Sequence, residues 1–94
     1  MTKNDLIKLV TNAYPNLNKK DATSILNLAF ENIINTVATG EEVRINDFGT
    51  FKAKKFAQKK VINPQTKDTM IIPERFLPVF RPFKIFKNEV KKLN

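Results

Sequence analysis

Apolar and polar positions change period twice along the chain, and the changes divide it into three stretches. In the first, Leu6, Ile7, Leu9, Val10 and Ala13 recur at roughly helical spacing. Thr2 stands where an N-cap belongs, with the acidic Asp5 three residues on. Pro15 and Asn16 end this short helix. Asn18 caps the next one, with Asp21 again at the third position. Ala22, Ile25, Leu26, Ala29, Phe30, Ile33, Ile34 and Val37 follow as an unbroken apolar stripe on one helix face. Gly40 sits at the residue just past the helix end. Residues 1–40 therefore predict an αα-hairpin.

The second stretch reads as strands. Val43, Arg44, Ile45 and Asn46 alternate as a half-buried strand does. Phe48-Gly49-Thr50-Phe51 predicts a tight turn or bulge, with a second strand starting near Phe51 and running to Phe56. Asn63-Pro64-Gln65-Thr66-Lys67-Asp68 is rich in turn formers, and Thr69 to Ile72 returns antiparallel. Pro73 and Pro78 confine this return strand to an edge or to bulged positions. In the third stretch Arg81-Pro82 opens a final helix, with Pro82 in its first turn. Ile85, Phe86, Val90 and Leu93 then face inward, and Lys84, Lys87, Lys91 and Lys92 face outward.

The expected fold is α+β in the order α-α-β-β-β-α, as one domain over residues 1–94. It has a helical part at 1–40, a three-stranded antiparallel sheet with a long hairpin arm at 41–81, and a C-terminal helix at 82–94. The arm, with its tip at about 56–73, is long for a chain with so little else to cover it. An uncovered hairpin is marginal in water, so it either packs on another chain or orders on a ligand.

Charge adds the first functional hint. Residues 1–50 carry five Lys/Arg against six Asp/Glu, whereas residues 51–94 carry twelve against three. A half-chain this basic points to a polyanion, either nucleic acid or an anionic membrane surface. The helices lack a lysine-rich face backed by tryptophan, which ranks the membrane low. The chain has no cysteine and no histidine. That removes disulfides, thiolate metal sites and the usual general base near neutral pH. There is no nucleophile–base pair and no glycine-rich phosphate loop, so an enzyme, a metal site and a cofactor are not expected. Glu41 and Glu42 read as solvated turn charge. No apolar run approaches a membrane span of about 20 residues, and no cleavable signal shape opens the chain, so the expected compartment is the cytoplasm.

The arm concentrates the chemistry. Lys52, Lys54, Lys55, Lys59, Lys60 and Lys67 lie on it with no acidic residue between 52 and 67. Phosphate neutralisation with counterion release is one use of such a ribbon; a solvated face is the other reading. A two-stranded ribbon also has the width to follow a DNA groove. Pro64, at the tip, is either a turn former or a rigid apolar wedge of the kind that inserts between base steps.

Three segments carry a resemblance: Ile45 to Phe51, then Asn63-Pro64-Gln65-Thr66, then Leu77 to Lys84. At these spacings they closely resemble the bacterial HU/IHF family of nucleoid proteins, in register over the whole chain. The resemblance implies an intertwined dimer whose helices form the base and whose two arms reach around duplex DNA through the minor groove. It implies that Pro64 intercalates and bends the duplex, the minor-groove wedge mechanism of that family. It places Phe30, Phe48, Phe51 and Phe80 in a dimer core, and DNA contacts on the arm lysines, Ile62, Asn63, Pro64, Gln65, Thr66 and Arg75. Lys3, Lys84 and Lys87 match phosphate contacts around the body. The implied partners are double-stranded DNA and a second copy of the chain, with a heterodimer with a paralogue as the alternative and RNA as a secondary ligand. The implied place is the bacterial nucleoid.

Four residues depart from the family pattern. Ile62 stands where arginine is usual; it donates no hydrogen bond but is able to extend the apolar wedge beside Pro64. Lys67 and Asp47 each replace a usual glycine. A positive φ at Lys67 would strain the tip by roughly 1 kcal/mol, while Asp47 adds negative charge near the dimer body. Phe83, also in place of a glycine, either obstructs phosphate approach or stacks on the sheet. Of the seventeen cations fourteen are lysine, and no arginine lies between Arg44 and Arg75. Lysine suits phosphates as a flexible point charge, whereas arginine favours narrow-groove readout. The expected function is therefore DNA bending with low sequence specificity; a site-specific IHF-like factor is the alternative.

Overall fold

The computed structural model describes residues 1–93; Asn94, the last residue of the expected C-terminal segment, lies outside them. The chain divides into two compact units, residues 1–35 and 36–94.

The first unit holds α1 (Lys3–Ala13) and most of α2 (Lys19–Ala38). Local chemistry sets the helix starts. The Asp5 amide donates to Thr2 Oγ1 at 3.4 Å, and the Thr2 amide donates back to Asp5 Oδ2 at 2.8 Å, a reciprocal capping box. Asn18 Oδ1 accepts from the Asp21 amide at 2.8 Å and caps α2 in the same way. Across this unit Lys3 Nζ donates to Asn27 Oδ1 at 2.7 Å. Ile7 and Ala22 are buried, but Ile25 and Ile34 of the apolar stripe are more than half exposed. The stripe predicted along α2 is thus only partly covered within one chain.

The second unit opens on the end of α2, where Val37 is buried and Gly40 turns the chain at φ 91°. Its sheet has the order β1 (Val43–Ile45), β2 (Gly49–Phe56), β5 (Arg75–Pro82), all antiparallel. Pro78 and Pro82 therefore lie on an edge strand, where a missing amide costs little. A separate ribbon pairs β3 (Lys59–Ile62) with β4 (Thr69–Ile72). The expected three-stranded sheet is present, and the arm beyond it is paired as a separate ribbon because the long hairpin is interrupted. Phe56 pairs with Arg75 below the gap and Lys59 with Ile72 above it. Two residues are skipped on each side, Ala57 and Gln58 against Pro73 and Glu74, so the register runs through the gap unchanged. Pro73 supplies no amide there. A salt bridge of 3.0 Å from Lys55 Nζ to Glu74 Oε1 spans it on the surface.

Two boundaries differ from expectation. The first turn lies earlier than the Phe48–Phe51 segment. The Phe48 amide donates to Ile45 O at 3.1 Å, and Gly49 is already paired with Ile45 as strand. The positive φ of that turn, 64°, falls on Asp47. This is the third position of a four-residue turn, where a positive φ favours glycine or asparagine. Gly49 is needed for a different reason: a Cβ there would sit 2.5 Å from the Phe80 ring and 2.7 Å from Arg81 O. The last helix, α3 (Lys84–Lys91), starts after Pro82, which is still strand; Phe83 is its N-cap residue. In a single chain Ile85, Val90 and Leu93 do not face inward as expected. They are exposed, and with Asp47, Phe86 and Glu89 they line an open groove.

Gly49→Ala is expected to destabilise the fold by about 1–3 kcal/mol through overpacking against Phe80. Asp47→Gly is expected to raise stability by up to about 1 kcal/mol by relieving the positive φ. Urea titrations of both variants followed by circular dichroism check the two opposite signs.

Candidate nucleic-acid interface

The arm tip is held by its own hydrogen bonds. The Asn63 amide donates to Asp68 O at 2.9 Å, and the Lys67 amide donates to Asn63 O at 2.7 Å. Between these pairs Pro64-Gln65-Thr66-Lys67 forms a four-residue loop. Asn63 Oδ1 accepts from the Gln65 amide at 2.9 Å, an Asx turn that fixes Pro64 at its apex. Thr66 Oγ1 accepts from the Asp68 amide at 3.4 Å. Lys67 closes the loop at φ 59°, so the strain expected of a non-glycine residue there is present. Pro64, Gln65, Thr66 and Lys67 are all exposed, while Asn63 is half-buried. Ile62, beside the tip, is 69% exposed.

Antiparallel pairing places directly opposite residues on one face, with successive pairs alternating between faces. The core side of the sheet carries Phe51 opposite Phe80. Their ring centroids are 4.7 Å apart, and Phe48 and Phe86 close on Phe80 at 5.3 and 5.7 Å. Of the expected aromatic core, Phe48, Phe51 and Phe80 are together; Phe30 belongs to the helical unit and is partly exposed. Phe86 completes the cluster. Its apolar spacing along α3 marked it as inward-facing, but only the fold brings it to Phe80.

The opposite, outer side carries Lys52, Lys54 and the pair Phe56–Arg75, then Lys60 opposite Ile71 and Ile62 opposite Thr69 on the ribbon. Lys55 and Lys59 lie on the core-side parity, and Glu74 pairs with Lys55. Lys54, Lys55, Lys59, Lys60 and Lys67 are exposed; Lys52 and Arg75 are half-buried. Lys84 and Lys87 are exposed on α3, and Lys3 is exposed on α1 in the other unit. The structure thus joins the arm residues, Arg75 and the tip on one ribbon, while Lys3 belongs to a separate body. Among the described residues no helix is long and apolar enough to cross a membrane, and no cluster of His, Cys, Asp or Glu is placed to hold a metal ion.

The family model for bacterial DNA-binding proteins matches residues 1–91. The chain belongs to this family. It is 43% identical to DNA-binding protein HU of Thermotoga maritima over 91 residues, covering 97% of this chain and all of that one. It is 37% identical to DNA-binding protein HU of Geobacillus stearothermophilus over the same length, with the same coverage. Among solved structures, an Anabaena HU–DNA cocrystal structure matches with a TM-score of 0.87 and 32% identity, over 96% of this chain and 97% of that one. The element order and the sheet described above are thus those of an HU-family protein, and the antiparallel hairpin between β2 and β5 is its arm. The DNA in the cocrystal is stated of the Anabaena protein.

Phe80 has ring neighbours on three sides, so Phe80→Ala is expected to cost about 3–5 kcal/mol. Exposed Ile62→Ala on the arm is expected to stay within about 0.5 kcal/mol. Thermal denaturation of the two variants side by side measures the contrast.

Proposed function

We propose that this chain is an architectural DNA-binding protein that grips duplex DNA through the minor groove and bends it with little sequence preference. The observation that carries this reading is the arm: a thin ribbon with cations on both faces, capped by an exposed Pro64 that an Asx turn holds at the apex. Proline has no amide to satisfy, and its ring is a compact apolar wedge; wedges of this kind unstack a base step and kink the duplex. Lys52, Lys54, Lys55, Lys59, Lys60 and Lys67 neutralise phosphates along the groove, and Lys3, Lys84 and Lys87 do so around the body. Asn63, Gln65, Thr66 and Ile62 form the tip beside Pro64. With no arginine from 45 to 74, the tip lacks the side chain best suited to reading a narrow groove. That favours low specificity over an IHF-like, site-specific role. RNA, which offers the same phosphates, is a secondary ligand. The chain works in the nucleoid and performs no catalysis.

The working unit is a homodimer. Within one chain the buried apolar residues are Ile7, Ala22 and Val37, while Ile25, Leu28 and Ile34 of α2 and Ile85 and Val90 of α3 stay at least half exposed. Apolar side chains at helical spacing on both helices are what a second copy covers.

Two results test the reading. Light scattering is expected to give twice the chain mass of 10.8 kDa; a monomer at micromolar concentration would remove the dimer. In a fluorescence-transfer bending assay, Pro64→Ala is expected to reduce the bend more than the affinity. Identical bends for the variant and the unmodified protein would sink the wedge assignment.

A further inference from the structure

The hairpin from Gly49 to Pro82 carries eight Lys/Arg and two carboxylates, Asp68 and Glu74. Asp68 lies at the closed end of the arm and makes no ion pair among the described residues. Glu74 lies in the gap of the ladder, and its placement follows from the register. The pairs Lys55–Phe76 and Lys59–Ile72 flank the gap on the core-side parity. With the register unbroken, Glu74 falls between them on that side. It is a diagonal neighbour of Lys55 toward the root and of Lys59 toward the tip. The three arginines of the chain lie on the other side: Arg44 and Arg81 align through Thr50, and Arg75 pairs with Phe56. Glu74 therefore meets lysines and no guanidinium.

The carboxylate has closed on one of these lysines. Lys55 Nζ is 3.0 Å from Glu74 Oε1, and both side chains are 57% exposed. Little in the fold needs this contact. Among the described residues no backbone hydrogen bond joins 57 or 58 to 73 or 74, and the ladder is complete on either side of the gap. An exposed pair of this kind adds little stability, because water solvates both charges well and salt screens them. Its effect on an anionic ligand is larger. The Lys55 ammonium already has a counter-charge, and a phosphate gains little from it until that charge is displaced. No other arm lysine is held in an ion pair among the described residues.

We propose that Glu74 is a built-in competitor of the duplex: in the free arm its carboxylate withholds Lys55 from phosphate, and binding exchanges this internal pair for a phosphate contact. This deepens the DNA-bending reading and rests on it. The exchange changes the ion balance of binding. A lysine with no partner releases a cation from the DNA when it neutralises a phosphate. When Lys55 leaves Glu74 for a phosphate, one cation leaves the DNA and the freed carboxylate draws one from solution. The contact then adds little to affinity or to its salt dependence. Affinity differences of this kind lie mostly in the off-rate, so Glu74 shortens the life of each complex. The competitor sits where it disturbs nothing else, since Glu74 lies outside both paired stretches of the arm.

The test is a double-mutant cycle on the full-length protein binding a random duplex, read as the slope of log K against log salt. Each phosphate contact contributes about 0.9 to that slope, and a dimer has two arms. Glu74→Gln is expected to steepen the slope by up to about 1.8, and to tighten binding at 0.1 M salt by up to about sixtyfold. Lys55→Gln alone is expected to change little, because the contact it removes was already cancelled. Adding Lys55→Gln to Glu74→Gln is expected to return the slope to that of the unmodified protein. Asp68→Asn removes the other arm carboxylate and measures the effect of charge alone; it is expected to give less than half the gain. A Glu74→Gln gain that persists in the Lys55→Gln background, or that Asp68→Asn matches, would overturn the competitor role while leaving DNA bending intact. A slope unchanged by Glu74→Gln would do the same. The thermal midpoint of Glu74→Gln is expected to equal that of the unmodified protein; a lower one would make the pair a structural tie and count against the competitor role. Failure of the unmodified protein to bind duplex at all would instead remove the reading beneath it.

Discussion

A single antiparallel register governs most of what the second unit does. It begins with Gly49 opposite Pro82, runs to Phe56 opposite Arg75, and resumes with Lys59 opposite Ile72 after a gap of equal length on both strands. Side chains alternate between faces along a strand, so a one-residue slip would exchange the aromatic and cationic faces completely. The ladder is pinned at both ends. Near its root, Gly49 lets the Phe80 ring approach the backbone where a Cβ would not fit. At its tip, reciprocal bonding of Asn63 with Lys67 and Asp68 closes a loop of fixed length. The same register that buries Phe51 on Phe80 also fixes which cations face outward and where Pro64 is presented.

The apolar side of the account is thin within one chain. A protein of this size buries its surface inefficiently, and here the helices contribute little to a core of their own. Ile7 and Ala22 are buried in the first unit, yet the α2 stripe leaves Ile25 and Ile34 outside. In the second unit the aromatic cluster has Phe86 on one side, while Ile85 and Val90 of the same helix, with Leu93 just past its end, face an open groove. An arm with no covering layer and helices with uncovered stripes are two expressions of one shortage. On the reading proposed above, a second copy supplies the helix partners and a polyanion orders the arm.

Much of this was legible in the residues, and the exceptions share a cause. Helix starts were legible because capping is local: Thr2 with Asp5 and Asn18 with Asp21 satisfy amides within one turn. The tip was legible for the same reason, since Asn63-Pro64 carries its own turn chemistry. The first hairpin turn was misplaced because Gly49 drew the assignment to itself. Its glycine is required by close packing against Phe80, whereas the residue that adopts the positive φ is Asp47. Pro82 was misplaced because a proline near a helix start is compatible with both the first turn and the edge strand just before it. The inward-facing positions of α3 followed from periodicity, which identifies the apolar side but not whether the same chain covers it. The grouping of the three arginines was not visible at all. It depends on two registers, β1 on β2 and β2 on β5, which align residues 44, 50 and 81 that are far apart in sequence.

That grouping gives the lysine and arginine usage a physical logic. Between residues 52 and 67 every cation is lysine, and lysines occupy both faces of the ribbon. A flexible, strongly hydrated ammonium keeps its attraction to phosphate as a bending duplex changes shape. Rigid forks there would favour one groove geometry and resist the others. The sheet is the opposite case. It is backed by packed rings, and Arg44 and Arg75 lie over Phe83 and Phe56, so these cations are more confined than the arm lysines. Ile62 fits the same division: on the wedge reading proposed above, an apolar side chain at the tip would add contact without requiring a hydrogen-bond acceptor in a set place. Mobile cations on the arm, rather than rigid forks, suit a protein that bends many sequences with little preference among them.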